Sequence, residues 1–224
     1  MLVLWMAAFL AFAPPSGPLE NARDAQDRAA LEKLVNQFSA EASKAPRDAD
    51  AQYRLALACS FQAEVAIELH DKKAGQQAAL RGIAAGEKAV SLNGNNAEYL
   101  RVLGTLYGQA IVDIPSGLSY GAKAKDAINR AVEKAPKSSQ VYVARGVGNF
   151  YLPPMLGGGP KPAIEDFQKA IQLDPNNADA YLWLGVSLHK DNRNAEARKA
   201  FEKSLALDPK RAWARQQLAK TPPK

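Results

Sequence analysis

The stretch ADAYLWLGVSLHKDNRNAEARKAFEKSLALDPKR, residues 178–211, decides the fold. Apolar and small residues keep helical spacing through its first half at Tyr181, Leu184, Gly185 and Leu188. They do so again through its second half at Ala197, Phe201, Ser204 and Leu207, and Pro209 closes the unit. That second half has a copy 34 residues upstream, where Ala163, Phe167, Ala170, Leu173 and Pro175 repeat the pattern. A period of this length, with two helices per unit, is the mark of stacked helical hairpins. The small residues Gly185 and Ala197 let two helices approach, Tyr181 and Phe201 fill the gaps, and Pro209 stops the second helix.

These residues resemble the tetratricopeptide repeat (TPR) family, most strongly over 178–211. Further units fit the same frame. The third has Tyr142 and Gly146 on its first helix, and the second has Tyr99, Leu103, Gly104 and Tyr107 there, with Ala124, Ile128, Ala131 and Pro136 following. The first is the most degenerate, its first helix running from Asp50 toward Lys72 and its second from Leu80 to Leu92. The expected fold is an all-α, right-handed α-solenoid with repeats over 50–94, 97–136, 139–175 and 178–211. A capping helix is expected within 19–47, running over 20–44, and a short amphipathic helix with a tail over 212–224. End helices are needed because stacked repeats otherwise expose apolar faces at both termini. Asp48, Asn95, Ser138 and Asn176 are the expected helix caps.

Composition agrees with a helical, globular chain. Of 224 residues, 47% are hydrophobic and 23% charged, with alanine plentiful and β-branched residues sparse. The net charge of +6 is spread among acidic residues along every helix, as in 195–211, which reads as a solvated face and argues against a nucleic-acid patch. Leu2 to Ala13 is an uncharged apolar run followed by Pro14, Pro15, Ser16, Gly17 and Pro18. It is too short to span a bilayer as a helix and has the length of a signal-peptide core. Residues 1–18 are therefore expected to be a signal peptide or an N-terminal anchor, with a buried apolar arm as the alternative. Export to the periplasm or cell exterior follows as an expectation. Cys59 is the single cysteine, so no internal disulfide forms.

No constellation for catalysis emerges. His70 and His189 fall in different repeats without acidic or cysteine partners at metal-ligand spacing, and no nucleophile motif is present. The run Gly157 to Pro162 follows a helix, loses two amide donors to Pro160 and Pro162, and lacks a P-loop ending. The expectation is a non-enzymatic protein without cofactor or metal.

The TPR resemblance implies that the first helix of each repeat lines a concave groove. On that frame the lining comprises Arg54, Ala58, Phe61 and Gln62, then Arg101, Thr105 and Gln109. Further along come Val143, Val147, Phe150 and Tyr151, and lastly Leu182, Val186 and Lys190. The alternative for Val143, Val147 and Val186 is packing between helices. The lining suits an amphipathic or extended peptide with an acidic end. The extra residues at 114–121 and 152–160 read as inserted loops at one edge of the stack, with Tyr120 and Met155 as contact candidates. Arg145 stands where the family places a buried leucine and needs partners, with loop carbonyls at 153–159 or Asp113 as candidates.

Tyr142–Gly146 and Pro153–Pro160 are also similar to segments of the TPR accessory component of TRAP-type solute transporters. That likeness implies a solute-binding partner protein and a ligand passage. Three functions are thus open: an envelope scaffold holding a protein segment, a small-ligand or transport accessory module, and a nucleic-acid binder.

Overall fold

The computed structural model describes residues 17–223. The leader expected over 1–18 therefore lies, apart from Gly17 and Pro18, outside the described residues. No strand occurs among them. Eleven α-helices follow one another: α1 (Pro18–Asp24), α2 (Arg28–Lys44), α3 (Ala49–Glu68), α4 (Lys72–Leu92), α5 (Ala97–Gln109) and α6 (Ile114–Lys134). Then come α7 (Ser139–Tyr151), α8 (Pro160–Leu173), α9 (Ala178–Lys190), α10 (Asn194–Leu207) and α11 (Ala212–Lys220), with one 3-10 turn at Pro154–Leu156. The pairs α3/α4, α5/α6, α7/α8 and α9/α10 are hairpins, and α3, α5, α7 and α9 pack in succession to form one wall.

Local chemistry sets the boundaries. Side chains of Asp27, Asp48, Asp71, Asn96, Asp113 and Asn177 accept first-turn amides of the helices they precede. Asn96 and Asn177 do this where Asn95 and Asn176 were expected, and Ser138 precedes α7 without a side-chain capping bond. Four helices stop at the residue before a proline, at Ala45, Ala135, Asp174 and Asp208, because proline disfavours helical backbone in its predecessor.

Three turns share one construction. Gln26, His70 and Asn192 take left-handed backbone with φ of 55°, 65° and 61°. The next amide in each case reaches back five residues, Asp27 to Ala22 at 2.8 Å, Asp71 to Ala66 at 2.8 Å and Arg193 to Leu188 at 2.9 Å. The helix expected over 20–44 is consequently two helices that turn at Gln26. The second helix of the first repeat begins at Lys72 and not Leu80, since Asp71 caps it there.

The two inserted stretches behave differently. Residues 152–159 are a loop, and Gly157 and Gly159, with φ of 85° and 106°, hold backbone that other residues rarely adopt. Residues 114–121 are not a loop; they are the first two turns of α6, which has 21 residues against 14 in α8 and α10. The Asp113 carboxylate accepts the Ser116 amide while the Ser116 hydroxyl accepts the Asp113 amide, and Pro115 sits in the first turn where its missing N–H costs nothing.

Packing follows the repeat. A Cβ added to Gly185 would lie 2.5 Å from the Phe201 ring, and one on Gly146 would lie 2.6 Å from Phe167. Each glycine is thus the seat of a fully buried phenylalanine from the partner helix. The apolar core runs along the stack, from Leu31, Val35 and Val65 through Leu100, Leu106 and Val141 to Phe167, Leu182 and Phe201.

Candidate functional site

The wall of first helices curves until its two ends meet. Arg23 of α1 donates to Asp179 of α9 at 2.9 Å across 156 residues of sequence. Arg211, just before α11, reaches Glu64 of α3 at 2.6 Å and also bonds Glu68. Its Nε lies 3.8 Å from Asp24 and 3.9 Å from Asp179. Gln26 donates to Glu68 at 2.8 Å, and Gln216 donates to Gln26 at 2.9 Å. The inner face therefore holds two guanidinium groups among four carboxylates, and Arg211 is only 1% exposed.

Charges removed from water at this density shift their own protonation. Burial pushes the Glu64 carboxyl up to about 7, with Arg211 and Arg23 pulling it back. Burial likewise raises Asp24 to about 6 against the pull of Arg23. For Asp179 burial acts upward too, but Arg23 and Arg211 overcome it and hold it below the usual range. The raised pair has a definite sign. Folded Glu64 and Asp24 keep protons that the unfolded chain, titrating near ~4, has released. Their contribution to stability is present at acid pH and is lost as pH rises through about 6 to 7. The melting temperature is expected to fall between pH 5.5 and 8, and Glu64→Gln should flatten that slope. An unchanged slope in the variant would show that Glu64 titrates normally.

Beside the charges lies an aromatic run. Phe150 and Tyr151 of α7 meet edge to face with centroids 5.1 Å apart, and both approach Trp183 of α9 at about 6 Å. Trp183 in turn lies 5.0 Å from Trp213 of α11, over which the Arg211 guanidinium sits at 5.8 Å. Tyr151 is 62% exposed, and desolvation, with smaller contributions from Glu68 and Glu64, raises its phenol. Phe61 on α3 carries the Arg23 guanidinium at 4.8 Å.

The remaining lining residues divide. Arg101 forks onto Glu98 at 2.5 and 2.7 Å, and Glu98 also accepts from Tyr53 at 3.0 Å. Thr105 bonds back to the Arg101 carbonyl at 3.0 Å. Gln109 is exchanged with Ser60, donating to its carbonyl and accepting from its hydroxyl at 3.1 Å, and so ties α5 to α3. Arg54 is half-exposed, 3.8 Å from Glu41 of α2. Leu182 does not line the groove; it is fully buried against the α8–α10 packing, because α9 is sandwiched between those helices. Val143 is buried, and Val147 and Val186 are half-buried between helices.

Tyr120 is on helix, not loop, stacked on Tyr107 at 5.9 Å, while Met155 stands 90% exposed. Arg145 pairs with neither the 153–159 carbonyls nor Asp113. Its partner is Asp166 of α8, at 2.9 Å from Nε and 2.5 Å from the terminal nitrogen, with Asn149 donating to the other carboxylate oxygen at 2.8 Å. The guanidinium also lies 4.9 Å over the Tyr142 ring. Sequence reasoning missed Arg23, Asp24, Glu64, Glu68, Asp179 and Arg211. The available signal was Glu64 and Glu68, two acids one turn apart within a helix otherwise rich in alanine. Among the described residues no cluster of His, Cys, Asp and Glu is placed to hold a metal.

Comparison with known proteins agrees with this architecture. Profiles of the TPR match residues 161–192 and 178–211. The profile of the family described as Regulator of microtubule dynamics protein 1-3 matches residues 18–151, more than half of the chain. The chain belongs to that family. Its fold is the tetratricopeptide repeat. A thermophilic TPR protein of Thermus thermophilus superposes with a TM-score of 0.63 at 18% identity, covering 91% of this chain and 96% of that one. Among curated relatives, Small glutamine-rich tetratricopeptide repeat-containing protein 2 of Mycosarcoma maydis is 31% identical over 104 residues, 46% of this chain and 28% of its own length. The Peroxisomal targeting signal receptor of Kluyveromyces lactis is 36% identical over 100 residues, 42% of this chain and 17% of its own. The chain thus spans less than a third of the curated relatives it matches. These matches carry the TPR architecture of the family member and do not address the transporter-accessory likeness of 142–146 and 153–160.

Proposed function

We propose that this protein is a non-catalytic scaffold that holds a segment of a partner protein against its inner face, beside Phe150, Tyr151, Trp183 and Trp213. The observation that carries this reading is Tyr151, a large aromatic side chain left 62% open at the end of a run of packed rings. Interfaces draw most of their energy from such aromatic anchors. Glu64 and Glu68 are engaged by Arg211, so it is the open aromatic surface at Tyr151 that suits a partner segment at this end. Arg54, Arg101, Thr105 and Gln109 already have partners within the fold, so they serve to hold the wall in shape. The TPR relatives support a binding role, and the family description attributes to its named members an effect on microtubule dynamics, an assembly of other proteins. We place the site of action at the cell envelope, on the strength of the apolar run 2–13.

The test is capture of partners by crosslinking in an envelope fraction, comparing the natural chain with Phe150→Ala/Tyr151→Ala. Capture is expected to fall on the order of tenfold or more while the circular-dichroism melt moves little. Capture that persists undiminished would remove the aromatic run from the site, and a collapsed melt would make the two rings part of the core.

A further inference from the structure

One edge of the stack differs from every other surface of the molecule. Ten large apolar side chains stand open to solvent among the described residues, and eight of them lie at the turns that end α3, α5 and α7. Four protrude most: Ile114 at 80%, Leu118 at 82%, Met155 at 90% and Leu156 at 64% exposed. Because α3, α5 and α7 pack in parallel succession, their ends share this edge. Ile114 and Leu118, one turn apart, occupy the first turns of the lengthened α6, so the extra residues of that repeat put apolar side chains into solvent.

Exposed lysines border these side chains, Lys72 and Lys73 at the start of α4, Lys123 on α6 and Lys161 on α8. Two acids stand at the same turns against these four lysines: Asp71, which pairs with Arg28 at 3.1 Å, and Asp113, which caps α6. The edge is thus apolar at its tips, with an excess of cationic side chains around them.

We propose that this edge docks on an anionic membrane surface, Ile114, Leu118, Met155 and Leu156 entering the interfacial layer while the lysines face lipid headgroups. Isolated protruding side chains offer no recess for a protein segment, whereas a bilayer interface takes up each tip separately. Charge complementarity selects the anionic surface. None of the described helices is long and apolar enough to cross a bilayer, so the contact is peripheral.

The full chain is tested with a polarity-sensitive fluorophore on single cysteines introduced as Leu118→Cys, Met155→Cys or, at the opposite edge between α6 and α7, Lys137→Cys. The native Cys59 is fully buried and does not compete for the label. Vesicles of phosphatidylcholine with about 30% phosphatidylglycerol should shift the emission to the blue at 118 and 155 but not at 137. The site-specific readout separates this edge from any affinity of residues 2–13. Half-saturation is expected at roughly tenfold less lipid than with phosphatidylcholine alone. Adding Ile114→Asp to the labelled Met155→Cys chain should weaken the response several-fold with an unchanged melt. Absence of a shift at 118 and 155, or an equal shift at 137, overturns the proposal. So does a labelled edge that responds to protein concentration instead of lipid, which would make it a contact between copies.

Discussion

Arg211→Ala is expected to destabilise the protein by about 3–5 kcal/mol, the usual cost of removing one member of a buried ion cluster. At this chain length that corresponds to a drop in melting temperature on the order of 10 °C. The physical reason is what remains behind. Glu64 and Glu68 bond Arg211 directly, Asp24 and Asp179 lie within 4 Å of its Nε, and all four carboxylates would face one another with Arg23 alone to balance them. Arg211→Lys should recover only part of the loss, because one ammonium cannot fork across Glu64 and Glu68. Combining Arg211→Ala with Glu64→Gln and Glu68→Gln should recover more than lysine does, since the cost lies in unpaired charge. If Arg211→Ala melts within a degree or two of the natural protein, the cluster is a spectator and the ends are held by other contacts.

Phe201→Ala is expected to cost a similar ~3–5 kcal/mol through the cavity it leaves. Phe201 is fully buried, and its ring rests on Gly185 with no room for a methyl group. Gly185→Ala, approached from the other side, should destabilise by overpacking, on the order of 1–3 kcal/mol, although alanine is the better helix former. The double variant Gly185→Ala/Phe201→Leu should then be more stable than Phe201→Ala, because the added methyl occupies part of the vacated space. Thermal melts of the three variants decide it. An equal loss in Phe201→Ala and in the double variant would mean that the two residues do not share one site.

The Gly185–Phe201 pair was legible in the sequence because Phe167 precedes Phe201 by the 34-residue period and Gly146 stands in the matching first helix, its longer spacing taken up by the 152–160 loop. Residues 114–121 were not, since Pro115, Ser116, Gly117, Ser119 and Gly121 have the composition of a turn. What makes them helix is local hydrogen bonding between Asp113 and Ser116, together with proline in the one turn that tolerates it. Leu182 was placed on the groove by counting positions from the repeat frame; its side chain instead points into the packing of α9 against α8 and α10. Arg145 announced that it needed a partner but not which one, and Asp166 sits 21 residues away on the facing helix. The charged cluster was the least legible feature. Its members approach only after small rotations accumulate over four hairpins, and no short stretch of sequence records that sum.

Open helical arrays tend to melt as one-dimensional chains, each unit answering mainly to its neighbours. Here α1 is tied to α9 by Arg23 and Asp179, and the turn before α11 is tied to α3 by Arg211 and Glu64, so each end of the array is held by the other. Damage at the amino terminus is therefore felt at the carboxyl terminus. Truncating either terminus removes half of the closure that stabilises the other, and the chain is tied toward unfolding as a single cooperative unit.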